Sequence, residues 1–376
     1  MKKKKIVHLQ LLPLLSGVQN VTLQELEKLD EHVYEKYIIC KEDGPLCLAA
    51  KVVNARVFFC KSLCRNINPV KDLISFISLY ILFKKNAFDI VHTHSAKTGF
   101  VGRVAAKLAG VKTIVHTVHG FPFDSTQSPF VRKIYVLLEK IAAKCSTHII
   151  CLHNADKDIC TNLLGIDSKK LKIIPNGVDI DRFQPLLPAD KKIQRKKYNI
   201  DENSLVFIMV GRLWVQKNPL LFVKAAIKVI EVNENNNIKF LLVGDGELRA
   251  EIEDLILGHE EKIIMLGWKD NVSDYLGISD VFVLPSLWEG MPLATLEAQS
   301  AGLPCLVSNV AGNLSTVSDG IDGYTFSPDR AEGLKDLMLK MNDSHLRNKL
   351  SASARHKIVT SHNIVDRVIS IKSLYE

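Results

Sequence analysis

Several signatures that would place this chain in common functional classes are missing from it. Its most apolar run away from the first residues, Leu73 to Phe83, has only eleven residues, against about 20 for a bilayer-spanning helix. The opening MKKKKIVHLQLLPLL begins basic and turns apolar, but His8 and Gln10 interrupt it and no small-residue cleavage pattern follows, so it reads as a first buried strand. The eight cysteines, at 40, 47, 60, 64, 145, 151, 160 and 305, include no C-x2-C pair and no histidines at zinc-ligand spacing. Without an export signal they read as reduced, mostly buried thiols. No G-x-x-x-x-G-K-[ST] loop and no G-x-G-x-x-G after the first strand is present, which excludes the P-loop kinase and dehydrogenase readings. Nucleic acid is excluded as a partner because no zinc finger or RNA-recognition signature accompanies the basic charge. Internal repeats and low-complexity tracts are also missing.

What is present is length, alternation and uneven charge. The 376 residues suffice for two domains. Residues 51–150 carry 15 Lys and Arg against 4 Asp and Glu, an excess larger than the whole chain's net charge of +8. Such a first half suits an anionic membrane surface or a phosphorylated acceptor. Short apolar runs alternate with helical patterns, which predicts parallel sheets with crossover helices. Strands are expected near Ile6 to Leu12, Tyr37 to Cys40, Arg56 to Phe59, Ile90 to Thr93, Thr113 to Thr117, His148 to Leu152 and Lys172 to Pro175. A second set follows at Leu205 to Val210, Ile238 to Val243, Lys262 to Leu266, Val281 to Leu284 and Cys305 to Ser308. Between them, from about Pro175 to Asn203, a turn-rich segment with the charged run KKIQRKK reads as the break.

The densest chemistry lies in PSLWEGMPLATLEAQSAGLP, Pro285 to Pro304. Pro292 suits a first helical turn, which puts Glu289 in the preceding loop and Glu297 inside the helix. Eight helical residues rise about 12 Å, too far for the pair of carboxyls of a glycosidase, about 5 to 9.5 Å apart. The two therefore suit separate parts of one elongated ligand, with an anion at the helix start between them. A sugar, diphosphate, ribose and base in line have that shape.

The pattern P-S-x-x-E-G-x-P-x-x-x-x-E-A resembles the donor-site signature of the retaining family 4 glycosyltransferases. VGRLWVQKN (Val210 to Asn218) resembles that family's phosphate-binding segment, and NGVDIDRFQP (Asn176 to Pro185) its linker. The resemblance implies an α/β fold of the GT-B type: two Rossmann-like doubly wound domains facing each other across a cleft. Residues 1–178 would form the acceptor-binding domain, with helix 362–376 packing back on it, and residues 179–361 the nucleotide-sugar domain. Arg212 and Lys217 would stabilise the departing diphosphate, beside Gly211. Glu289 would meet the donor sugar's hydroxyls, Glu297 the ribose, and Gly290, Met291, Pro292 and Leu293 the sugar and phosphate through their backbone. Gly244, Gly267 and Trp268 match segments that border the nucleotide. Ser16 and Gly17 occupy the place of the family's Gly-Gly loop, of which this chain keeps one glycine. His119, in VHTVHGFPF, aligns with the family histidine beside the reacting sugar. HTHSAKTG, with His94, Ser95 and Lys97, and also His116, supplies acceptor-side candidates and resembles the branch that builds capsules and O-antigens.

These residues imply a cytoplasmic, retaining glycosyltransferase, peripheral on the inner membrane face. It would move a sugar from a nucleotide diphosphate, most often UDP in this family, to a glycan acceptor linked to polyprenyl diphosphate. No cofactor or metal is expected: Asp179-x-Asp181 resembles a metal grip but falls in the linker and reads as structural. The competing readings are an epimerase or phosphorylase on the same scaffold, and a non-catalytic protein that binds sugar nucleotides or membranes.

Overall fold

A computed structural model describes residues 2–64, 68–121, 123, 128–232 and 237–376. The chain divides into two compact units: Met1–Asn176 together with Ile364–Glu376, and Gly177–Asn363.

The first unit is built on strands β1 (Lys4–Leu9), β2 (Tyr34–Cys40), β3 (Arg56–Phe59), β4 (Ile90–His94), β5 (Thr113–Thr117), β6 (His148–Cys151) and β7 (Leu171–Ile173). They form one parallel sheet in the order β3-β2-β1-β4-β5-β6-β7. Helices on both faces bury the sheet, so its inner strands are apolar at successive positions and not only at alternate ones. Strand pleating sends neighbours to opposite faces. Ile6, Ile38, Ile90 and Val115 join the core shared with helices Gly17–Lys28, Pro45–Val52 and Ile364–Tyr375, whereas Val7, Ile39, Val91 and Ile114 join that of Pro69–Asn86 and Ala96–Ala109. The final helix is tied down by the buried guanidinium of Arg367, which donates to Glu25 Oε1 at 2.9 Å and to the carbonyls of Ile174 and Pro175 at 2.8 and 2.7 Å.

Helix Pro69–Asn86 starts as its sequence predicts: Asn68 caps it by accepting from Lys71 N at 3.0 Å, and Pro69 opens the first turn. It buries Ser75, Leu79 and Phe83, yet Val70, Leu73, Ile74, Ile77 and Ile81 are exposed. Helix Pro129–Cys145 likewise exposes Phe130, Ile134, Leu137 and Ile141. Helix Ala96–Ala109 touches both of them.

The second unit is a parallel sheet of β8 (Leu205–Val210), β9 (Ile238–Val243), β10 (Ile263–Gly267), β11 (Val281–Leu284), β12 (Cys305–Ser308) and β13 (Gly323–Phe326), ordered β10-β9-β8-β11-β12-β13. The edge strand β13 escapes sequence reading because Gly323 and Thr325 leave GYTF without a continuous apolar run. The charged run KKIQRKK is a correction. It lies in a helix, Pro188–Lys197, and not in a solvated break. Arg195 is buried there, donating to Asp280 Oδ2 at 2.6 Å and to the carbonyls of Ile278, Glu202 and Ser204. Lys191 adds a 2.8 Å contact to the same carboxylate. One charge of the run becomes interior because an aspartate and three carbonyls satisfy Arg195, while Lys192, Lys196 and Lys197 stay exposed.

Asp179 has a structural role: its Oδ1 accepts from the backbone N–H of Asp181 and of Arg182 at 3.1 and 3.0 Å, closing a turn.

Candidate functional site

In the second sheet the strand order reverses between β8 and β11, and ligands of open α/β sheets bind at such a switch point, beyond the carboxyl ends of the strands. The loops that leave these two strands are cross-linked there. Leu287 N donates to Gln216 O at 2.8 Å, and Gln216 Nε2 to Trp288 O at 3.0 Å. Between these ties, Lys217 Nζ meets Glu289 Oε1 at 2.6 Å. Ser286 Oγ donates to the same carboxylate oxygen at 2.6 Å. Behind Ser286 the contacts continue inward, since Ser308 Oγ donates to Ser286 O, and Asn313 Nδ2 reaches Ser308 O and Oγ at 3.0 and 2.9 Å. Ser286, Ser308 and Asn313 are wholly buried. Glu289 is thus set by a polar chain that begins in the core.

Arg212 follows β8 directly and its guanidinium lies over the Trp214 ring, 4.6 Å from the centroid. Lys217 closes a short 3-10 turn, Val215–Lys217, so arginine and lysine emerge from one loop. Gly211 N donates to Val243 O at 3.0 Å. Close approach explains the next glycine: a Cβ on Gly244, whose φ is +140°, would lie 1.9 Å from Gly211 O. Leu213 N donates to Asp245 O, and Leu248 N to Leu213 O, both at 3.0 Å, so the GDGEL turn is laced to the Arg212 loop. Gly267 accepts from Gly244 N at 2.9 Å, and Trp268 beyond it is half exposed. The loops after β8, β9 and β10 are therefore linked in series, and the β8 loop is tied in turn to the loop after β11.

The helix in the signature segment is Leu293–Ser300, with Pro292 at its cap position (φ −71°, ψ 119°) and not in the first turn. Only the final part of the stretch from Glu289 to Glu297 is helical, so the 12 Å helical rise does not apply to the pair. The proline's extended ψ ends the loop, which leaves Met291 and Leu293 buried and the backbone of Glu289 and Gly290 against Gly312. A Cβ on Gly312 would lie 2.4 Å from both of their carbonyl oxygens. Sequence reading gave no role to Gly312, Ser308 and Asn313, nor to Ser286, although Ser286 is the serine of the P-S-x-x-E pattern and Gly312 the glycine of SNVAGN. Burial pushes the Glu297 carboxyl up to about 7 against an opposing pull from Arg182.

The first unit holds the other candidates. Ser16 is the cap residue of helix Gly17–Lys28, but its hydroxyl donates to Gln19 Oε1 and does not cap, while Gly17 has open space around its Cα. Ser95 stands at the end of β4 with φ +63° and ψ 160°, a conformation costly for a residue with a side chain. Lys97 Nζ meets Asp72 Oδ1 at 2.8 Å. His94 and His119 are brought together, Nδ1 to Nε2 at 3.1 Å. His116 is not with them: it lies on the other face of the sheet, its Nδ1 2.9 Å from Thr93 Oγ1, under Gly99. Pleating decides this, because Thr93 and His116 are partners in register. Two further histidines, His8 and His92, are buried beside His94 and carried no readable signal. His92 is held by the hydroxyls of Tyr375 and Thr117 at 2.6 and 2.7 Å. Pro122, within the VHTVHGFPF segment, lies outside the described residues.

Two Rossmann-like units, with a basic and acidic crevice at the second one's switch point, define a GT-B glycosyltransferase. Residues 15–182 match the profile "Glycosyltransferase Family 4" and residues 190–357 the profile "Glycosyl transferases group 1". The chain is 49% identical over 99% of its length to an Escherichia coli UDP-Gal:alpha-D-GlcNAc-diphosphoundecaprenol alpha-1,3-galactosyltransferase, 97% of which is covered. It is 26% identical to a Campylobacter jejuni N,N'-diacetylbacillosaminyl-diphospho-undecaprenol alpha-1,3-N-acetylgalactosaminyltransferase, over 77% of each chain. The fold matches that of Anabaena Alr3699/HepE in complex with UDP and glucose at a TM-score of 0.82, with 17% identity over 98% of both chains. The chain belongs to the family 4 glycosyltransferases.

Proposed function

We propose that this enzyme transfers a hexose, with galactose the first candidate, from UDP to a sugar carried on polyprenyl diphosphate, retaining the donor's anomeric configuration. The galactosyltransferase likeness over nearly the whole chain supports the substrate class, and the observation that carries the chemistry is the Lys217–Glu289 pair at the switch point. Lys217 and Arg212 supply positive charge to the leaving diphosphate, as a point charge and a fork respectively. Glu289, held by Ser286 and Lys217, keeps an acceptor face for sugar hydroxyls. Glu297 takes the ribose. With the diphosphate neutralised by side chains and backbone N–H groups, no divalent cation is required, and His119 serves the reacting sugar as the family resemblance assigns it.

The enzyme works at an anionic membrane surface. No helix among the described residues is long and apolar enough to cross a bilayer. The exposed apolar stripes of helices Pro69–Asn86 and Pro129–Cys145 are instead edged by exposed Lys71, Lys84, Lys85, Arg132, Lys133, Lys140 and Lys144. Apolar side chains between basic ones suit the headgroup boundary of such a surface.

The test is UDP release from UDP-sugars with and without a polyprenyl-diphosphate-GlcNAc acceptor, followed by NMR of the product. Acceptor-dependent release and an α linkage from an α donor support the reading. Release without acceptor, or an epimerised sugar, transfers it to the epimerase alternative.

A further inference from the structure

A line of imidazoles runs inward from His119. His119 Nε2 lies 3.1 Å from His94 Nδ1, and His94 Nε2 lies 2.9 Å from His8 Nδ1. His8 and His94 are fully buried, and His8 Nε2 has no hydrogen-bond partner among the described residues. His119 is partly exposed and, among the described residues, spends only Nε2 on a hydrogen bond. Burial first, and the positive charge of Arg367 second, lower His8 and His119 to about 3, and burial lowers His94 as well. Each ring is therefore neutral and carries one N–H.

Two neutral hydrogen bonds in series allow only two arrangements. If the donors run outward, His8 Nδ1–H donates to His94 Nε2, His94 Nδ1–H donates to His119 Nε2, and His119 is left with its proton on Nδ1. If they run inward, every tautomer reverses and His8 is left with a buried N–H at Nε2 that donates to nothing. An orphaned buried donor is rarer and more costly than an orphaned acceptor.

We propose that His94 and His8 are positioning residues that hold His119 in the tautomer protonated on Nδ1, so that His119 offers the substrate an N–H donor and not a lone pair. The substrate half of this statement rests on the reading of His119 as a sugar-site residue; the tautomer half does not. A metal is the competing occupant, since nitrogens of His8, His92 and His94 lie within 4.8 Å of one another. The chain of hydrogen bonds is favoured over it because His92 already meets a hydroxyl at each nitrogen and a cation would face the charge of Arg367.

Long-range proton–nitrogen NMR of the 15N-histidine-labelled full chain, with His119 assigned by its loss in His119→Gln, tests the tautomer without substrate. The expected spectrum shows a pyrrole-like Nδ1 and a pyridine-like Nε2 at His119. His94→Leu should abolish that preference and lower kcat about tenfold with the donor KM changed less than about threefold, and His94→Asn, whose amide still donates, should restore most of kcat. His8→Leu gives the same tautomer readout from the far end of the chain should the His94 variant fail to fold. A His119 protonated on Nε2, or zinc retained at one equivalent by the purified protein, overturns the positioning chain. Unchanged kcat in His119→Ala overturns the sugar-site reading and the substrate half, whatever the tautomer.

Discussion

Lys217 and Glu289 face each other at 2.6 Å from loops that leave two adjacent parallel strands, and Ser286 holds the same carboxylate oxygen. The pair is mostly shielded from solvent on the Glu289 side and more open on the lysine side. The pair is a structural tie, and in the proposed function an anion arriving at the lysine would compete with the glutamate.

Lys217→Ala should weaken the hold on the donor diphosphate by about 1.5 to 3 kcal/mol, the range for hydrogen bonds to charged groups. Turnover should fall about tenfold or more. Because the change leaves Glu289 without its counter-charge, the double variant Lys217→Ala, Glu289→Gln should be more stable than the sum of the single changes predicts. Thermal melts of all four proteins measure this, and strict additivity would show that the two residues do not interact.

Glu297 gives a pH dependence whose sign is fixed. Its carboxyl is raised in the folded chain to about 7 from an ordinary value of 4.5, so the folded state binds the extra proton and its contribution to stability is lost as pH rises from about 4.5 through 7. Glu297→Gln should raise stability at pH 8 by about 2 kcal/mol and change it little at pH 4. If the ribose is bound by the ionised form, UDP-sugar affinity should rise between pH 6 and 8 in the unaltered enzyme, about threefold or more. It should stay flat in Glu297→Gln. Calorimetry in buffers of different ionisation enthalpy reads the proton released, and a pH-independent affinity in both proteins counts against the assignment.

Gly312 lies against the Glu289 loop with no room for a side chain. Gly312→Ala forces a methyl to within 2.4 Å of two carbonyl oxygens that set the Glu289 loop, so it should cost about 1 to 3 kcal/mol and lower kcat. Gly17→Ala, with nothing within 4 Å of its Cβ, should leave stability within about 0.5 kcal/mol. Equal melting temperatures for the two variants would contradict this packing.

Membrane association should depend on both stripes. Vesicle flotation with about a third anionic lipid is expected to carry the enzyme at low salt and to release it at high salt. Ile77→Asp with Leu137→Asp should abolish flotation while UDP binding persists. Flotation unaffected by the double change removes these helices from the interface.

Activity should survive EDTA, and Asp179→Asn with Asp181→Asn should retain it, because Asp179 closes a turn through its own neighbours' N–H groups. Manganese-dependent recovery after EDTA would instead place a cation at the diphosphate.

Local pattern determined much of this protein. Apolar runs and their spacing fixed the twelve strands named from the sequence to within three residues of their observed limits, and Arg212, Lys217, Glu289 and Glu297 stood out through the resemblance of their segments to the family 4 donor-site signature. Tertiary structure decided what spacing does not encode. Whether a charge is solvated depends on partners far along the chain, as Arg195 shows with Asp280. Whether two histidines cooperate depends on strand parity and register: His94 and His119 meet while His116, only three residues before His119, is turned to the opposite face with Thr93. Which atom of His119 carries the proton depends on His8, more than a hundred residues away, because in a dry interior each hydrogen bond fixes the next.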